Sequence, residues 1–115
     1  MTDISGTWRG TFSYRMIYQP TPFKAHILCR AGALSGTVSE TVQTEFGFTP
    51  DGVEAALTGT VDDRRVRFTK IYPDGIPLYG AVDYEGELSE DGGTIAGTWR
   101  TTLWSGPFTM QRVEE

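Results

Sequence analysis

Apolar and polar residues alternate with a period of two along most of this 115-residue chain, and no other sequence feature restricts the fold as strongly. Such alternation is typical of β-strands with one buried face, because successive side chains point to opposite sides of a strand. No segment longer than a turn has the spacing of an amphipathic helix, so the sequence predicts an all-β protein. In the first run the predicted buried face consists of the even-numbered residues Trp8, Gly10, Phe12, Tyr14, Met16 and Tyr18.

Eight alternating runs follow one another along the chain. After the first run, which ends before Pro20, the others cover about 23–30, 34–42, 53–61, 65–72, 78–88, 94–103 and 107–113. Short links containing Gly or Asp join neighbouring antiparallel strands, and a sheet of eight strands can close and lose its edges. We therefore expect a single domain over residues 1–115, folded as one antiparallel up-and-down barrel of about eight strands.

A five-residue motif occurs four times, at 4–8, 34–38, 57–61 and 95–99, and reads large apolar, small, Gly, Thr, large apolar. Glycine weakens a strand unless the chain bends sharply or passes close to another group at that position. An inward glycine between two bulky inward residues suits a tightly curved barrel wall. The pattern predicts that the barrel wall bends at Gly36, Gly59 and Gly97, which face the interior.

The charge balance limits the partners of the chain. Fifteen acidic and ten basic side chains give a formal net charge of −5, which disfavours binding to a phosphate backbone or an anionic membrane surface. No apolar run approaches the roughly 20 residues of a membrane-spanning helix, and the N-terminal sequence has no secretory leader pattern. We expect a cytoplasmic monomer or homodimer that binds neither nucleic acid nor membranes.

The single histidine and the single cysteine fit structural roles. His26 lies on the polar face of the second run with Lys24 and Arg30, so we expect it to be exposed. Cys29 has the parity of Ile27 on the apolar face, which predicts an unreactive thiol that fills the core. One cysteine excludes an intramolecular disulfide, and this pair of residues cannot form a tetrahedral metal site. No metal or cofactor is therefore expected.

One stretch, residues 43–52, interrupts the alternation of apolar and polar residues and is long for a hairpin link. It carries Phe46 and Phe48 next to a Pro-Asp-Gly turn. Two interpretations remain open, a lid over the barrel or an extension of two neighbouring strands that folds onto the core. The second is favoured, because aromatic residues beside such a turn usually belong to strand ends.

The segment Gly6-Thr7-Trp8 resembles the Gly-x-Trp start of the lipocalins, and the motif at 4–8 and 57–61 is similar to the strand pattern of avidins. Both families belong to the calycin group of barrels. The resemblance implies that Trp8 closes the barrel floor beneath a basic side chain of the last strand, a role that we expect Arg112 to fill. Biotin binding is not implied, since residues 9–12 lack the asparagine and serine of an avidin. The nitrobindin branch holds haem with a late histidine, whereas His26 is early.

Several polar residues have inward parity: Tyr14, Tyr18, Glu40, Lys70, Tyr72 and Arg112. Burying an unpaired ammonium group would cost several kcal/mol, so Lys70 must find a partner, reach an open mouth or meet a ligand. A structural ion pair, with Glu40 as one candidate partner, or a rim position is favoured over an anionic ligand site. An error in the strand register is the third alternative.

The leading functional interpretation is a non-catalytic barrel that binds a small apolar molecule, with or without an acidic head group, in its interior. The residues predicted to bind this ligand are Tyr14, Lys70, Tyr72 and Arg112. The alternative is an interaction module with a filled interior, which would use Trp104, Tyr79 and the segment 46–48 on its outer surface. An enzyme is the third interpretation, and it would be preferred only if inward polar groups converged on a cavity.

Overall fold

The computed structural model describes residues 2–13, 21–40, 43–44, 47–48, 53–73, 81–102 and 104–113. The strands in these ranges are β1 (Gly6–Phe12), β2 (Thr21–Arg30), β3 (Ala33–Glu40), β4 (Gln43–Thr44), β5 (Gly47–Phe48), β6 (Val53–Asp62), β7 (Arg65–Ile71), β8 (Ala81–Leu88), β9 (Thr94–Arg100) and β10 (Ser105–Arg112).

Eight of these strands form one closed barrel in the order β1-β10-β9-β8-β7-β6-β3-β2, and all neighbouring pairs are antiparallel. The order follows the chain, so the predicted all-β, eight-stranded up-and-down barrel is confirmed. Between β3 and β6, β4 and β5 form a separate two-stranded ladder. The rest of the segment 43–52 lies outside the described residues, and the choice between a lid and a strand extension stays open.

The period-two pattern determines which side chains fill the barrel. Among the described residues the buried aromatic side chains are Trp8, Phe12, Phe23, Phe68, Tyr72, Tyr84, Trp99 and Phe108. Phe68 stacks on Tyr84 with 4.6 Å between ring centroids, and Phe108 meets both rings edge-on at 6.2 and 5.0 Å. Offset stacking and edge contacts of this kind stabilise aromatic clusters beyond their buried area. The inward face of the strands is therefore a packed aromatic core.

Cys29 departs from its predicted place in the core. It is half-buried and packs against the edge of the core, and its Sγ lies 3.7 Å from the carbonyl oxygen of Thr2. The reason is its position one residue before the end of β2, where the barrel wall stops. His26 is exposed, as predicted, and its Nδ1 lies 3.2 Å from the Thr7 hydroxyl.

The glycines of the repeated motif lie where two strands approach each other closely. A Cβ atom on Gly59 would overlap the carbonyl oxygen of Arg67 on β7, and one on Gly97 would overlap that of Glu85 on β8. Gly59 falls between buried Leu57 and Val61 on its strand, which confirms its inward parity. Only a residue without a side chain permits this close approach of the backbones.

One end of the barrel, named here the Trp8 end, is closed by Trp8, Ile4 and Arg112. Trp8 is fully buried, and its Nε1 donates a hydrogen bond to the carbonyl oxygen of Ile4 at 3.0 Å. Arg112 pairs with Trp8 across the β1–β10 ladder, and its guanidinium carbon lies 4.7 Å from the centre of the Trp8 ring. The expected placement of a basic side chain over the buried tryptophan is confirmed.

Candidate functional site

The opposite end of the barrel, named here the Lys70 end, is formed by Phe12, Glu40, Lys70, Tyr72 and Tyr84. The strands β1, β3, β7 and β9 finish at this end. Because alternate connections of an up-and-down barrel belong to opposite ends, three long connections, over 13–20, 41–52 and 72–80, and one short connection, over 101–104, leave from this end. The connections at the Trp8 end cover 31–32, 63–64 and 89–93, and all three are short. Loop ends of barrels are common places for ligand sites.

Lys70 lies at the centre of this end. It is the last-but-one residue of β7 and follows the inward parity of Phe68, so its side chain enters the barrel and is 1% exposed. Its Nζ donates a hydrogen bond to Glu40 Oε2 at 2.8 Å and another to the hydroxyl oxygen of Tyr84 at 2.9 Å. The predicted ion pair between Lys70 and Glu40 is present.

Glu40 links Lys70 to a second tyrosine. It is the last residue of β3, its side chain is 3% exposed, and its Oε1 accepts a short hydrogen bond from the Tyr72 hydroxyl. Each oxygen of the carboxylate therefore has its own donor. Hydrogen bonds to ionised groups are shorter and stronger than neutral ones, so Tyr72 fixes the direction in which the carboxylate faces Lys70.

Aromatic rings surround the ammonium group of Lys70. The distances from Nζ to the ring centroids are 4.5 Å for Phe12, 4.9 Å for Tyr72 and 5.3 Å for Tyr84. All three lie within the range at which the negative face of a ring attracts a cation. The rings also exclude water, and this strengthens every charge interaction inside the cluster.

Burial governs the electrostatics of Lys70. Removal of the ammonium group from water lowers the pKa of Lys70 below its usual value of 10.5, and the opposing attraction of Glu40 offsets only part of this effect. Among the described residues, every buried side-chain nitrogen and oxygen has a hydrogen-bond partner. The cluster is therefore a satisfied network with no net charge.

The structure separates the residues that the sequence grouped as one ligand site. Lys70 and Tyr72 lie together in the network at the Lys70 end. Arg112 lies at the Trp8 end instead, because it is the last residue of β10 and its guanidinium group covers Trp8. Tyr14 lies outside the described residues. Glu40, considered from sequence only as a partner of Lys70, is a full member of the site.

Tyr84 is the member of the site that was not predicted from the sequence. Its parity on β8 predicts that it points inward, and this is correct. Its contact with Lys70 depends on the register of β7 against β8, in which Phe68 faces Tyr84 and Lys70 faces Val82. The long connection over 72–80 does not determine that register, whereas a tight hairpin turn would have done so.

The outer wall carries exposed apolar side chains and a shallow groove. Leu28, Ile71 and Trp104 are 53%, 47% and 51% exposed. The groove, of about 650 Å³, crosses the outer face of β6 to β9 and is lined mainly by Thr58, Thr60, Arg67, Thr69, Asp83, Glu85, Thr98 and Arg100. Tyr79 and Phe46, also expected on this surface, lie outside the described residues.

The described part of the chain contains no group of His, Cys, Asp and Glu side chains arranged to hold a metal ion. It also contains no helix with the length and hydrophobicity needed to cross a bilayer.

Comparison with known proteins gives structural matches only, since the sequence matches no protein-family model and no curated protein. A redesigned β-barrel superposes with a TM-score of 0.71 at 19% identity, over 96% of this chain and 92% of its own. A de novo designed fluorescence-activating β-barrel superposes with a TM-score of 0.64 at 15% identity, over 98% of this chain and 100% of its own. A redesigned β-barrel bound to DFHBI superposes with a TM-score of 0.63 at 16% identity, over 96% of this chain and 94% of its own. At these identities the likeness shows the shared small antiparallel barrel fold alone.

Proposed function

We propose that this protein is a ligand-binding barrel that takes a small, largely apolar molecule at the Lys70 end. The observation that carries the proposal is the convergence of Lys70, Glu40, Tyr72 and Tyr84 on one point inside that end. A buried ion pair contributes little to stability compared with an apolar core of the same volume, so its presence points to a role other than packing. Apolar walls with a few convergent polar groups are typical of small-molecule sites.

The charge of the cluster narrows the chemistry of the ligand. Because Glu40 neutralises Lys70, the network has no spare positive charge for the acidic head group considered from sequence. A carboxylate ligand would have to enter beside the buried carboxylate of Glu40 or displace it. The proposed ligand is therefore a neutral aromatic or conjugated molecule with a hydrogen-bonding group that meets the tyrosine hydroxyls.

The comparisons support this function by analogy. A barrel of the same fold binds DFHBI, so an eight-stranded barrel of this size is compatible with a small-molecule site. The cation over Trp8 fits the calycin likeness proposed from sequence, since calycin barrels also close one end in this manner. We propose that the protein shares their division into a closed floor and a ligand-binding mouth.

The competing function, an interaction module, rests on the exposed side chains of Trp104, Leu28 and Ile71. Isolated exposed apolar residues are ordinary on protein surfaces, whereas interaction sites usually form a contiguous patch. Leu28 lies on β2 and Ile71 on β7, and β3 and β6 separate these two strands in the barrel. This arrangement favours the interior site.

A thermal-shift screen tests the ligand-binding proposal. The compounds are neutral phenols and aryl ketones, each paired with the carboxylate of similar shape, together with fatty acids and short isoprenoids. We expect a neutral compound to raise the Tm of the parent by several degrees at saturating concentration, and to do so more than its carboxylate counterpart. Tyr72→Phe, which keeps the ring but removes the hydroxyl, should reduce the shift, while Lys24→Met on the outer face should leave it unchanged. The proposal fails if no compound stabilises the parent or if Tyr72→Phe retains the whole shift.

A further inference from the structure

The Lys70 end contains the parts of an activated nucleophile. Such a site needs a nucleophile and a base within hydrogen-bond reach and a third group that orients the base. Lys70 Nζ lies 2.8 Å from Glu40 Oε2, and the Tyr72 hydroxyl holds the other carboxylate oxygen in place. Tyr84 contacts the same nitrogen at 2.9 Å, next to the position that a reacting oxygen would occupy.

Burial favours the reactive form of this amine. Only a neutral amine attacks a carbonyl carbon, and desolvation lowers the pKa of Lys70 even with Glu40 beside it. An ammonium group this deep also has a proton acceptor in direct contact, since Glu40 can take the proton that Lys70 releases. Lysines in apolar surroundings are activated for imine formation in this way.

We propose that Lys70 forms an imine with an aromatic or conjugated aldehyde that binds at the Lys70 end, an inference that rests on the ligand site proposed above. The rings of Phe12, Tyr72 and Tyr84 give Nζ aromatic surroundings, which favour a conjugated carbonyl compound over a polar one. After reaction the protonated imine nitrogen keeps its charge beside Glu40, so the ion pair of the free protein is preserved in the adduct.

The reaction needs no further reagent. Glu40 first takes a proton from the ammonium group, the lone pair of neutral Nζ attacks the aldehyde carbon, and protonated Glu40 returns the proton to the carbonyl oxygen, which gives a carbinolamine. Glu40 then takes a proton from the nitrogen and passes it to the carbinolamine hydroxyl, which leaves as water while the C=N bond forms, so that a protonated imine lies beside ionised Glu40. One amine and one aldehyde thus give one imine and one water molecule, with no change in oxidation state.

The chain provides its own control, because Lys24 and Lys70 are its only lysines. Lys24 lies exposed on the outer face of β2 and represents an ordinary surface amine. The parent is incubated with cinnamaldehyde and sodium cyanoborohydride at pH 7, and peptide mapping by mass spectrometry then locates the adduct. The trapped secondary amine adds the mass of the aldehyde less one oxygen atom, and the map separates Lys70, Lys24 and the α-amino group.

We expect Lys70 to be trapped faster than Lys24, because a lowered pKa raises the fraction of the amine that is neutral at pH 7. Equal or faster trapping of Lys24 overturns the proposal, and this comparison within one chain does not depend on any variant folding. In Lys24→Arg the Lys70 adduct should persist, and in Lys70→Arg it should disappear.

A spectroscopic measurement tests the role of Glu40 in the same adduct. The protonated imine of a conjugated aldehyde absorbs at longer wavelength than the neutral imine, so a pH titration of the unreduced adduct reports the pKa of the imine. Removal of the carboxylate in Glu40→Gln should lower this pKa, because an opposite charge in contact favours the protonated form. An unchanged transition pH would show that Glu40 is not the counter-ion, and the proposal would then be wrong.

The result also separates this inference from the ligand site on which it rests. Reversible stabilisation of the parent by neutral ketones and phenols, without trapping of Lys70 by the aldehyde, leaves ligand binding in place and rejects the covalent step. If the parent shows neither reversible stabilisation by any compound nor trapping of Lys70, the ligand site is rejected as well.

Discussion

The two ends of the barrel each place a cation over an aromatic ring, yet the two cations have different surroundings. At the Trp8 end, Arg112 is half-buried, and its guanidinium nitrogens donate to the backbone carbonyls of Ser5 at 2.7 Å and Asp3 at 3.5 Å. At the Lys70 end, the ammonium group is 1% exposed and pairs with a buried carboxylate.

The difference shows what each end requires of its cation. A guanidinium group is weakly hydrated and has several donors, so it can cover a ring and bind backbone carbonyls while part of it stays in water. A fully buried ammonium group has no contact with water and needs an anion beside it. The Trp8 end is therefore a closure, whereas the Lys70 end keeps a costly polar cluster that a closure does not need.

The largest effect is expected from Trp8→Ala at the closed end. This substitution removes a fully buried side chain and should lower the free energy of unfolding by about 3–5 kcal/mol, measured by urea denaturation. The matched control is Leu28→Ala, at an exposed apolar residue, which should change it by no more than about 0.5 kcal/mol. A loss below about 1 kcal/mol for Trp8→Ala would contradict a structural closure at this end.

At the Lys70 end the expected loss of stability depends on whether the buried charges stay paired, and less on the volume of the side chain that is removed. Lys70→Met leaves Glu40 buried without its cation and should cost about 3 kcal/mol by the same measurement. The double variant Lys70→Met/Glu40→Gln removes both charges and should recover more than half of that loss. Equal losses in the single and double variants would show that the ion pair does not control the stability of this end.

A smaller effect is expected from Arg112→Met, which keeps an apolar stem over Trp8 but removes the donors. The loss of cation–π attraction and of the hydrogen bond to Ser5 should cost about 1–2 kcal/mol. In contrast to Lys70→Met, it should leave no buried carboxylate unpaired. If Arg112→Met destabilised the protein as strongly as Trp8→Ala, the cation rather than the tryptophan would be the main element of the closure.

The smallest effect is a pH dependence confined to the Lys70 end. Because burial lowers the pKa of Lys70 in the folded protein, the unfolded chain binds more protons between that lowered value and 10.5. Stability attributable to Lys70 should therefore rise with pH across this window and stay constant below it. The measurement is the difference in unfolding free energy between the parent and Lys70→Met/Glu40→Gln from pH 7 to 10, and a difference that falls with pH would have the wrong sign.

The sequence predicted the barrel and the closed end better than the polar cluster. Strict alternation assigned Trp8, Phe68 and Lys70 to the interior, and both the parity and the strand count are correct. Parity assigns a side chain to a face but does not give its height along the barrel. For that reason Arg112 was grouped with Lys70, although it lies at the other end of the barrel.

The contacts of Lys70 required the strand register. Glu40 was a candidate partner of Lys70 from its charge and its inward parity, but the contact of Tyr84 with Lys70 depends on how β7 pairs with β8. Long connections leave such registers undetermined, so the identity of the second tyrosine could not be derived from the sequence pattern. The residues that follow the strand ends at the Lys70 end include Tyr14, whose predicted part in the site stays a prediction.

The ladder between β1 and β10, in which Trp8 faces Arg112, affects the order of events during folding. These two residues are far apart in the sequence, so their contact closes a loop that contains all the other strands of the barrel and depends on their pairing. Until β10 has been synthesised, β1 and β9 present unpaired edges that can pair with other chains. A chain truncated before β10 should therefore aggregate, whereas a chain that includes β10 can close the barrel upon itself.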